Sequence, residues 1–115
     1  MKINKIIDLI EGKIVEGEYY SEENITRIFA SDLMSDVLTI KTEEPLLLIT
    51  GLSNLQTIRT CEMSDIKAII FVRGKKSTED MRKLAAENDM ILIETPFSMY
   101  RTSGILYNAG ILPLY

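Results

Sequence analysis

The chain has 115 residues, which is enough for one domain with a hydrophobic core and too few for two domains of ordinary size. Its net charge of −4 and pI near 4.8 are unlike those of nucleic-acid-binding proteins, which usually carry a basic stripe. No apolar run is as long as a membrane span, so we expect neither a nucleic-acid nor a membrane partner.

The few cysteines and histidines limit the chemistry further. A zinc site is disfavoured because the chain has no histidine and only Cys61 as a thiol ligand, and we expect no metal or cofactor. A single cysteine cannot form an internal disulfide, which suits a cytoplasmic location. Residues 1–13 include acids and lack a small-residue cleavage site, so we expect no signal peptide.

The first part of the chain predicts a helix, two strands and a short second helix. Ile3, Ile6, Ile7 and Ile10 have the spacing of one helix face, and Gly12 can end that helix. Residues 13–18 indicate a short strand or turn, and residues 25–31 indicate a strand. Asp32 is expected to cap a short helix that continues to Leu38.

From Leu46 onward, buried strands alternate with helices. Residues 46–50, 67–72 and 90–94 are almost wholly apolar, as in strands that helices cover on both faces. The expected helix caps are Asn54, Ser77 (with Asp80 completing an approximate capping box) and Ser98. Met99, Thr102, Leu106 and Ala109 are expected on the inner side of the last helix. This order predicts one domain over residues 1–115, a three-layer α/β/α fold with a mostly parallel sheet of about five strands.

The loops that leave the carboxyl ends of the strands form the candidate ligand site, because open parallel sheets bind ligands there. The candidate ligand-binding residues in these loops are Gly51, Ser53, Asn54, Arg73, Gly74, Lys75, Ser77 and Thr95. The loop at residues 50–54 could receive an anion at a helix start, but it has neither a P-loop nor a dinucleotide fingerprint. Capping by Asn54 explains the same residue types, and Gly51 is expected to be needed for the turn.

The loop at residues 73–77 carries the main basic cluster, Arg73, Lys75 and Lys76. Beside a helix N-terminus these side chains could neutralise a phosphate or an acidic patch of a partner. A solvated, charged loop tip is the favoured explanation, since charge runs are common on protein surfaces.

No group of residues predicts catalysis. Asp32 and Asp36 could share a helix face, but nothing adjacent would desolvate either carboxylate. Cys61 lies among apolar helix positions, and the chain has no histidine to activate it. We therefore predict no catalytic residue.

Apolar surface indicates a homodimer. Phe97 and Tyr100 are large side chains that a small monomer would struggle to cover, and the C-terminal tail is apolar. The interface candidates are Phe97, Tyr100, Leu112, Leu114 and Tyr115.

Several segments together resemble the DRTGG domain. They are SDLMSDVL after the second strand, the strand ends LLITG and IIFVRG, and the run ETPFSMYRTSGILYNAGI. The resemblance covers about residues 25–111. The five letters that name the family do not occur intact, and residues 101–104 are only a partial echo. Where relatives commonly have two glycines, this chain has Arg73-Gly74.

The resemblance implies a fold related to the N-terminal domain of HPr kinase/phosphorylase, an accessory domain without the P-loop of the kinase. DRTGG domains are regulatory or interaction modules that tend to dimerise, and no catalytic residues are established for them. Some stand-alone members are encoded near iron-hydrogenase genes. The leading hypothesis is therefore a cytoplasmic, non-catalytic, homodimeric module that modulates a metabolic enzyme, which the resemblance links to hydrogenases. The alternative is a small-ligand sensor that binds a nucleotide or other phosphorylated anion at the strand-end loops.

Overall fold

Helices and strands alternate along the chain in the computed structural model, which describes all 115 residues. The helices are α1 (Ile3–Ile10), α2 (Met34–Val37), α3 (Leu55–Met63), α4 (Glu79–Glu87) and α5 (Met99–Asn108). The strands are β1 (Lys13–Glu16), β2 (Arg27–Ala30), β3 (Leu46–Thr50), β4 (Ala68–Phe71), β5 (Ile91–Glu94) and β6 (Leu112–Pro113). No helix is both long enough and apolar enough to cross a bilayer.

The six strands form one sheet in the order β1-β5-β4-β3-β2-β6. All neighbouring strands are parallel except the edge strand β1, which runs antiparallel to β5. The predicted three-layer fold with a mostly parallel sheet is confirmed. The sixth strand comes from the C-terminal tail, where Leu112 and Pro113 pair with β2. Proline is tolerated there because β6 lies at a sheet edge, where no further strand needs its missing N–H.

Two apolar layers lie on the two faces of the sheet. The central strands β3, β4 and β5 are buried along their whole length, and their alternate side chains point to opposite faces. One face packs against α1 and α5, through residues such as Ile6 and Leu106. The other face packs against α2, α3 and α4, through Val37, Ile58 and Met81 among others. The apolar runs of the sequence therefore correspond to strands with a helix layer on each side.

Two predicted caps are confirmed, because the Asn54 side chain accepts from the Thr57 amide and Ser98 accepts from the Arg101 amide. The predicted end of α1 at Gly12 is wrong. Glu11 takes the left-handed conformation (φ 52°) instead, and the Gly12 amide donates to the Ile7 carbonyl.

Two other predicted caps are also wrong. The hydroxyl of Thr78, not of Ser77, caps α4, with Met81 as the partner residue. No side chain caps α2, and Asp32 lies before the actual N-cap position, Leu33. Both predicted capping side chains form other hydrogen bonds instead, Asp32 with Thr50 and Gly51 and Ser77 with Glu94.

Ala109 was expected on the inner side of the last helix, but it is exposed. The reason is that α5 ends at Asn108, and the chain then turns through Gly110 into β6.

Gly17 positions the edge strand β1 against the sheet. Its φ is +85°, and a Cβ at this position would collide with the Met90 carbonyl oxygen and the Ile91 backbone. Only glycine allows the chain leaving β1 to pass this close to β5. A side chain at residue 17 would therefore force the end of β1 away from the start of β5.

Candidate ligand site at the carboxyl ends of the strands

Asp32, which follows β2, braces the loop that leaves the neighbouring strand β3. Its Oδ1 accepts hydrogen bonds from the Thr50 hydroxyl (2.9 Å) and the Gly51 amide (2.6 Å). The parallel pairing of β2 with β3 places the two strand ends side by side. The Gly51 amide is therefore already occupied and is not a free donor for an external anion.

The side chains of Ser53 and Asn54 in the same loop also have partners within the chain. The Thr57 amide donates to Asn54 Oδ1 (2.9 Å), and the Ser53 hydroxyl donates to the Lys76 carbonyl (2.8 Å). Capping and loop-to-loop bonding therefore account for Ser53 and Asn54.

The expectation that the turn needs a glycine at Gly51 is wrong. Its φ is not positive, and an added Cβ would meet its nearest neighbour, Asp32 Oδ2, at an ordinary 3.4 Å.

The loop after β4 is fastened to the loop after β5. Arg73 and Gly74 both adopt left-handed conformations, with φ of 57° and 71°. The Arg73 amide donates to the Phe97 carbonyl (2.6 Å), and the Gly74 amide donates to the Thr95 carbonyl (2.9 Å). Thr95 is 1% exposed, and its hydroxyl donates to the Ile10 carbonyl rather than pointing toward solvent. Lys75 remains exposed.

Glu94, at the end of β5, is the most buried carboxylate of this region, with a side chain 8% exposed. Its Oε2 accepts hydrogen bonds from the Ser77 amide (2.8 Å) and the Ser77 hydroxyl (3.0 Å). Lys76 Nζ lies 3.4 Å from Oε1. Arg82 Nη1 donates to the Ser77 carbonyl (2.8 Å), which fixes the loop from the side of α4. Ser77 thus binds Glu94 instead of capping α4.

A cavity of about 540 Å³ opens beside Glu94, between β1 and α4. We call it the β1–α4 cavity; its lining includes Lys13, Val15, Lys76, Ser77, Arg82 and Glu94. Lys13 lies opposite Glu94 in the antiparallel β1–β5 pair, so both side chains are on the same face of the sheet. The cavity therefore has three cationic side chains and one carboxylate.

Of the residues around this cavity, Ser77 is among the predicted ligand residues, whereas Glu94, Lys13 and Arg82 are not. A detectable signal for Glu94 was a carboxylate ending the apolar strand MILIE, directly before the Thr95-Pro96 exit. The predicted loop at residues 73–77 contributes only Lys76 and Ser77 to the lining of the β1–α4 cavity, and the loop at residues 50–54 contributes none.

The interface candidates divide into buried and exposed residues. Phe97 is 8% exposed in the single chain, and the Arg101 guanidinium lies 3.8 Å from its ring centroid. The expectation that a monomer would leave Phe97 uncovered is therefore wrong. Tyr100, Leu112 and Tyr115 are exposed, whereas Leu114 is half-buried.

An apolar groove of about 300 Å³ runs between β6 and α5. Its lining includes Ile28, Phe29, Tyr107, Ile111, Leu114 and Tyr115. The ring of Tyr115 packs edge-on against Phe29, with centroids 6.0 Å apart. Most of the predicted C-terminal interface residues thus lie in or beside one surface.

A second cavity, of about 370 Å³, lies at the opposite, amino end of the parallel strands. Its rim is acidic and includes Glu23, Glu43, Glu44, Asp65 and Asp89. The Tyr20 hydroxyl donates to Asp89 (3.1 Å), and this hydrogen bond is the main reason the pKa of Tyr20 is raised.

Cys61 is a core residue, as predicted. It is fully buried between α3 and the sheet, and burial raises the pKa of its thiol to about 12. A thiol with this pKa is almost entirely protonated at neutral pH and is a poor nucleophile. No group of three or more histidine, cysteine, aspartate or glutamate side chains is placed to hold a metal ion.

The fold of the chain is similar to that of one region of a solved structure. No family model and no curated protein matches the chain. Among solved structures, it is similar to the CBS and DRTGG domains of the regulatory region of Clostridium perfringens pyrophosphatase, in complex with the activator diadenosine tetraphosphate. The TM-score is 0.71 at 14% sequence identity. The match covers 91% of this chain and 45% of that one, so the chain spans less than half of its neighbour.

At this identity the likeness establishes the fold alone. The chain has an α/β fold that also occurs in a regulatory region containing a DRTGG domain. That is consistent with the resemblance found in the sequence.

Proposed function

We propose that the chain is a non-catalytic regulatory or protein-interaction module of the DRTGG type, acting in the cytoplasm. The observation that carries this proposal is the likeness of its fold to a regulatory region with a DRTGG domain. The internal bonding of the strand-end loops supports it. Asp32 and Glu94 hold the two loops in fixed positions, which suits a surface that recognises a partner.

The module acts as a homodimer, and its target is a metabolic enzyme, with hydrogenases as the setting suggested by the family resemblance. The exposed apolar residues around β6 support an interface there. Leu112 and Tyr115 are 55% and 82% exposed, next to an apolar groove. Edge strands and exposed apolar patches are common sites of association.

Light scattering of the purified protein tests the dimer. We expect the mass of two chains at high micromolar concentration, and the mass of one chain for Leu112→Glu. The matched control is Leu33→Glu, because Leu33 is similarly exposed (57%) but does not lie on β6 beside the groove. A wild-type protein that stays monomeric contradicts the homodimer. A pull-down from native cells then identifies the enzyme partner.

The non-catalytic assignment has its own test. We expect no turnover of nucleotides or phosphoesters by the purified protein. Turnover that disappears when Lys75 and Lys76 are replaced by alanine contradicts this assignment.

The second candidate is a small-ligand sensor for a nucleotide or other phosphorylated anion. The specific observation in its favour is the cationic lining of the β1–α4 cavity. A ligand that binds only the native state must raise the melting temperature. A thermal-shift screen of nucleotides and sugar phosphates therefore separates a sensor from a module that binds proteins only.

A further inference from the structure

We infer that the β1–α4 cavity binds a hydroxylated phosphomonoester, with its phosphate on Lys13, Lys76 and Arg82 and one of its hydroxyl groups on Glu94. This inference rests on the small-ligand sensor, the second function proposed above. It moves the ligand from the loops at residues 51–54 and 73–77 to the edge of the sheet.

The charges around the cavity leave an uncompensated excess of two positive charges. Lys13 and Arg82 form no ion pair. Lys76 pairs with Glu94, which is the only carboxylate in the cavity lining. Arg82 uses Nη1 to hold the Ser77 carbonyl, and its other guanidinium N–H groups remain available as donors. A phosphomonoester carries up to two negative charges near neutral pH, which matches this excess.

Glu94 provides a hydrogen-bond acceptor for a ligand hydroxyl group, in addition to the cations that would bind a phosphate. Its Oε2 is occupied by two hydrogen bonds from Ser77. Its Oε1 has only Lys76 Nζ, at 3.4 Å, and therefore keeps lone pairs for a donor. A sugar hydroxyl can donate to this oxygen while the phosphate of the same molecule contacts the cations. A sugar phosphate can therefore contact the cations and Glu94 with separate groups, whereas inorganic phosphate would have to turn a P–OH group toward Glu94 and give up a contact of its charged oxygens with the cations.

The cavity is more than the N-terminus of α4. Thr78 already caps that helix, and Ser77 is bound to Glu94. Lys13 comes from a different element, the antiparallel strand β1, and reaches the same face as Glu94 only because of the β1–β5 register. Glu94 is more than nine-tenths buried and is fixed by its bonds to Ser77, so one side of the site is formed before any ligand binds.

Isothermal titration calorimetry at low ionic strength tests the site with ribose 5-phosphate, AMP, ribose and inorganic phosphate. We expect ribose 5-phosphate and AMP to bind, ribose not to bind, and inorganic phosphate to bind more weakly than either ester. Equal binding of ribose 5-phosphate and AMP identifies a sugar phosphate as sufficient, whereas tighter binding of AMP identifies a nucleotide. No heat from either ester at millimolar concentration overturns the inference.

Replacing Lys13 by glutamine tests the location of the site. We expect Kd for ribose 5-phosphate to rise at least about tenfold, because a charge-assisted contact to phosphate is lost. Lys13 is exposed, so the variant should keep the wild-type melting temperature without ligand. Lys5→Gln is the matched control, since Lys5 is an exposed lysine on α1, on the opposite face of the sheet. An equal loss of affinity in both variants overturns the site and indicates a non-specific charge effect.

This inference and the leading function can fail separately. If no phosphomonoester binds but the protein dimerises and captures an enzyme, the ligand site is wrong and the interaction module stands. If ligand binds and Lys13→Gln weakens it while the protein stays monomeric, the homodimer is wrong and the ligand site stands.

Discussion

Asp32 and Glu94 perform the same structural task in two different environments. Each carboxylate follows or ends a parallel strand, and each accepts the backbone N–H of the loop that leaves the neighbouring strand. Asp32 is exposed and contacts no cation, whereas the Glu94 side chain is 8% exposed and lies beside Lys76. The same type of carboxylate–amide hydrogen bond therefore only fixes a loop at Asp32, whereas at Glu94 it fixes a loop beside a charged cavity.

The largest expected effect is that of Glu94→Ala. The substitution leaves the Ser77 amide and hydroxyl without their buried acceptor, and we expect a loss of about 2–4 kcal/mol in the free energy of unfolding. Urea unfolding measures it. Glu79→Ala is the control, because that carboxylate is exposed and paired only with Lys83 on the helix surface. A loss below about 1 kcal/mol would mean that burial does not distinguish the two carboxylates.

Asp32→Ala should have a smaller effect, about 1 kcal/mol, because water can reach the Gly51 amide after the carboxylate is removed. The same urea experiment applies, with Asp36→Ala as the control, since Asp36 is exposed and braces no loop. A loss equal to that of Glu94→Ala would contradict the proposed role of burial.

Arg73→Gly should stabilise the protein by up to about 1 kcal/mol, because Arg73 has a left-handed backbone (φ 57°) that glycine adopts without strain. The melting temperature should rise accordingly. Lys75→Gly, in the same exposed loop but without a positive φ, should be neutral or destabilising. A lower melting temperature for Arg73→Gly would show that the arginine side chain contributes more to stability than its backbone strain costs.

Gly51→Ala should have the smallest effect, within about 0.5 kcal/mol, because the added methyl group meets Asp32 at ordinary contact distance. Gly17→Ala provides the contrast, since its methyl group would collide with backbone atoms of β5. Thermal unfolding of both variants decides the point. Equal destabilisation by Gly51→Ala and Gly17→Ala would contradict the conclusion that only residue 17 requires glycine.

The central architecture could be predicted from the sequence because the signals are local. Apolar runs such as Leu46–Thr50, followed by a capped helix, are typical of a parallel sheet covered on both faces. The cap at Asn54 was predictable for the same reason, since cap and helix are adjacent in the chain.

The cavity could not be predicted, because it depends on contacts between distant parts of the chain. Serine is a common helix-capping residue, so Ser77 and Thr78 are both plausible caps of α4 from the sequence. Only the contact of Ser77 with Glu94 determines that Thr78 is the cap. Lys13 reaches Glu94 through the antiparallel register of an edge strand, which no local pattern encodes. Pairing of β6 over two residues was also too short to leave a strand signal.

The contrast between the two carboxylates leads to the proposal that, of the strand ends, only the Glu94 side binds a ligand. Amide proton–nitrogen correlation spectra, recorded while ribose 5-phosphate is titrated into the protein, test it most directly. We predict saturable shifts at the amides of Lys13, Ser77 and Arg82, and none at Gly51. Shifts centred on Gly51 and Asn54, or no shifts at millimolar ligand, would contradict the claim.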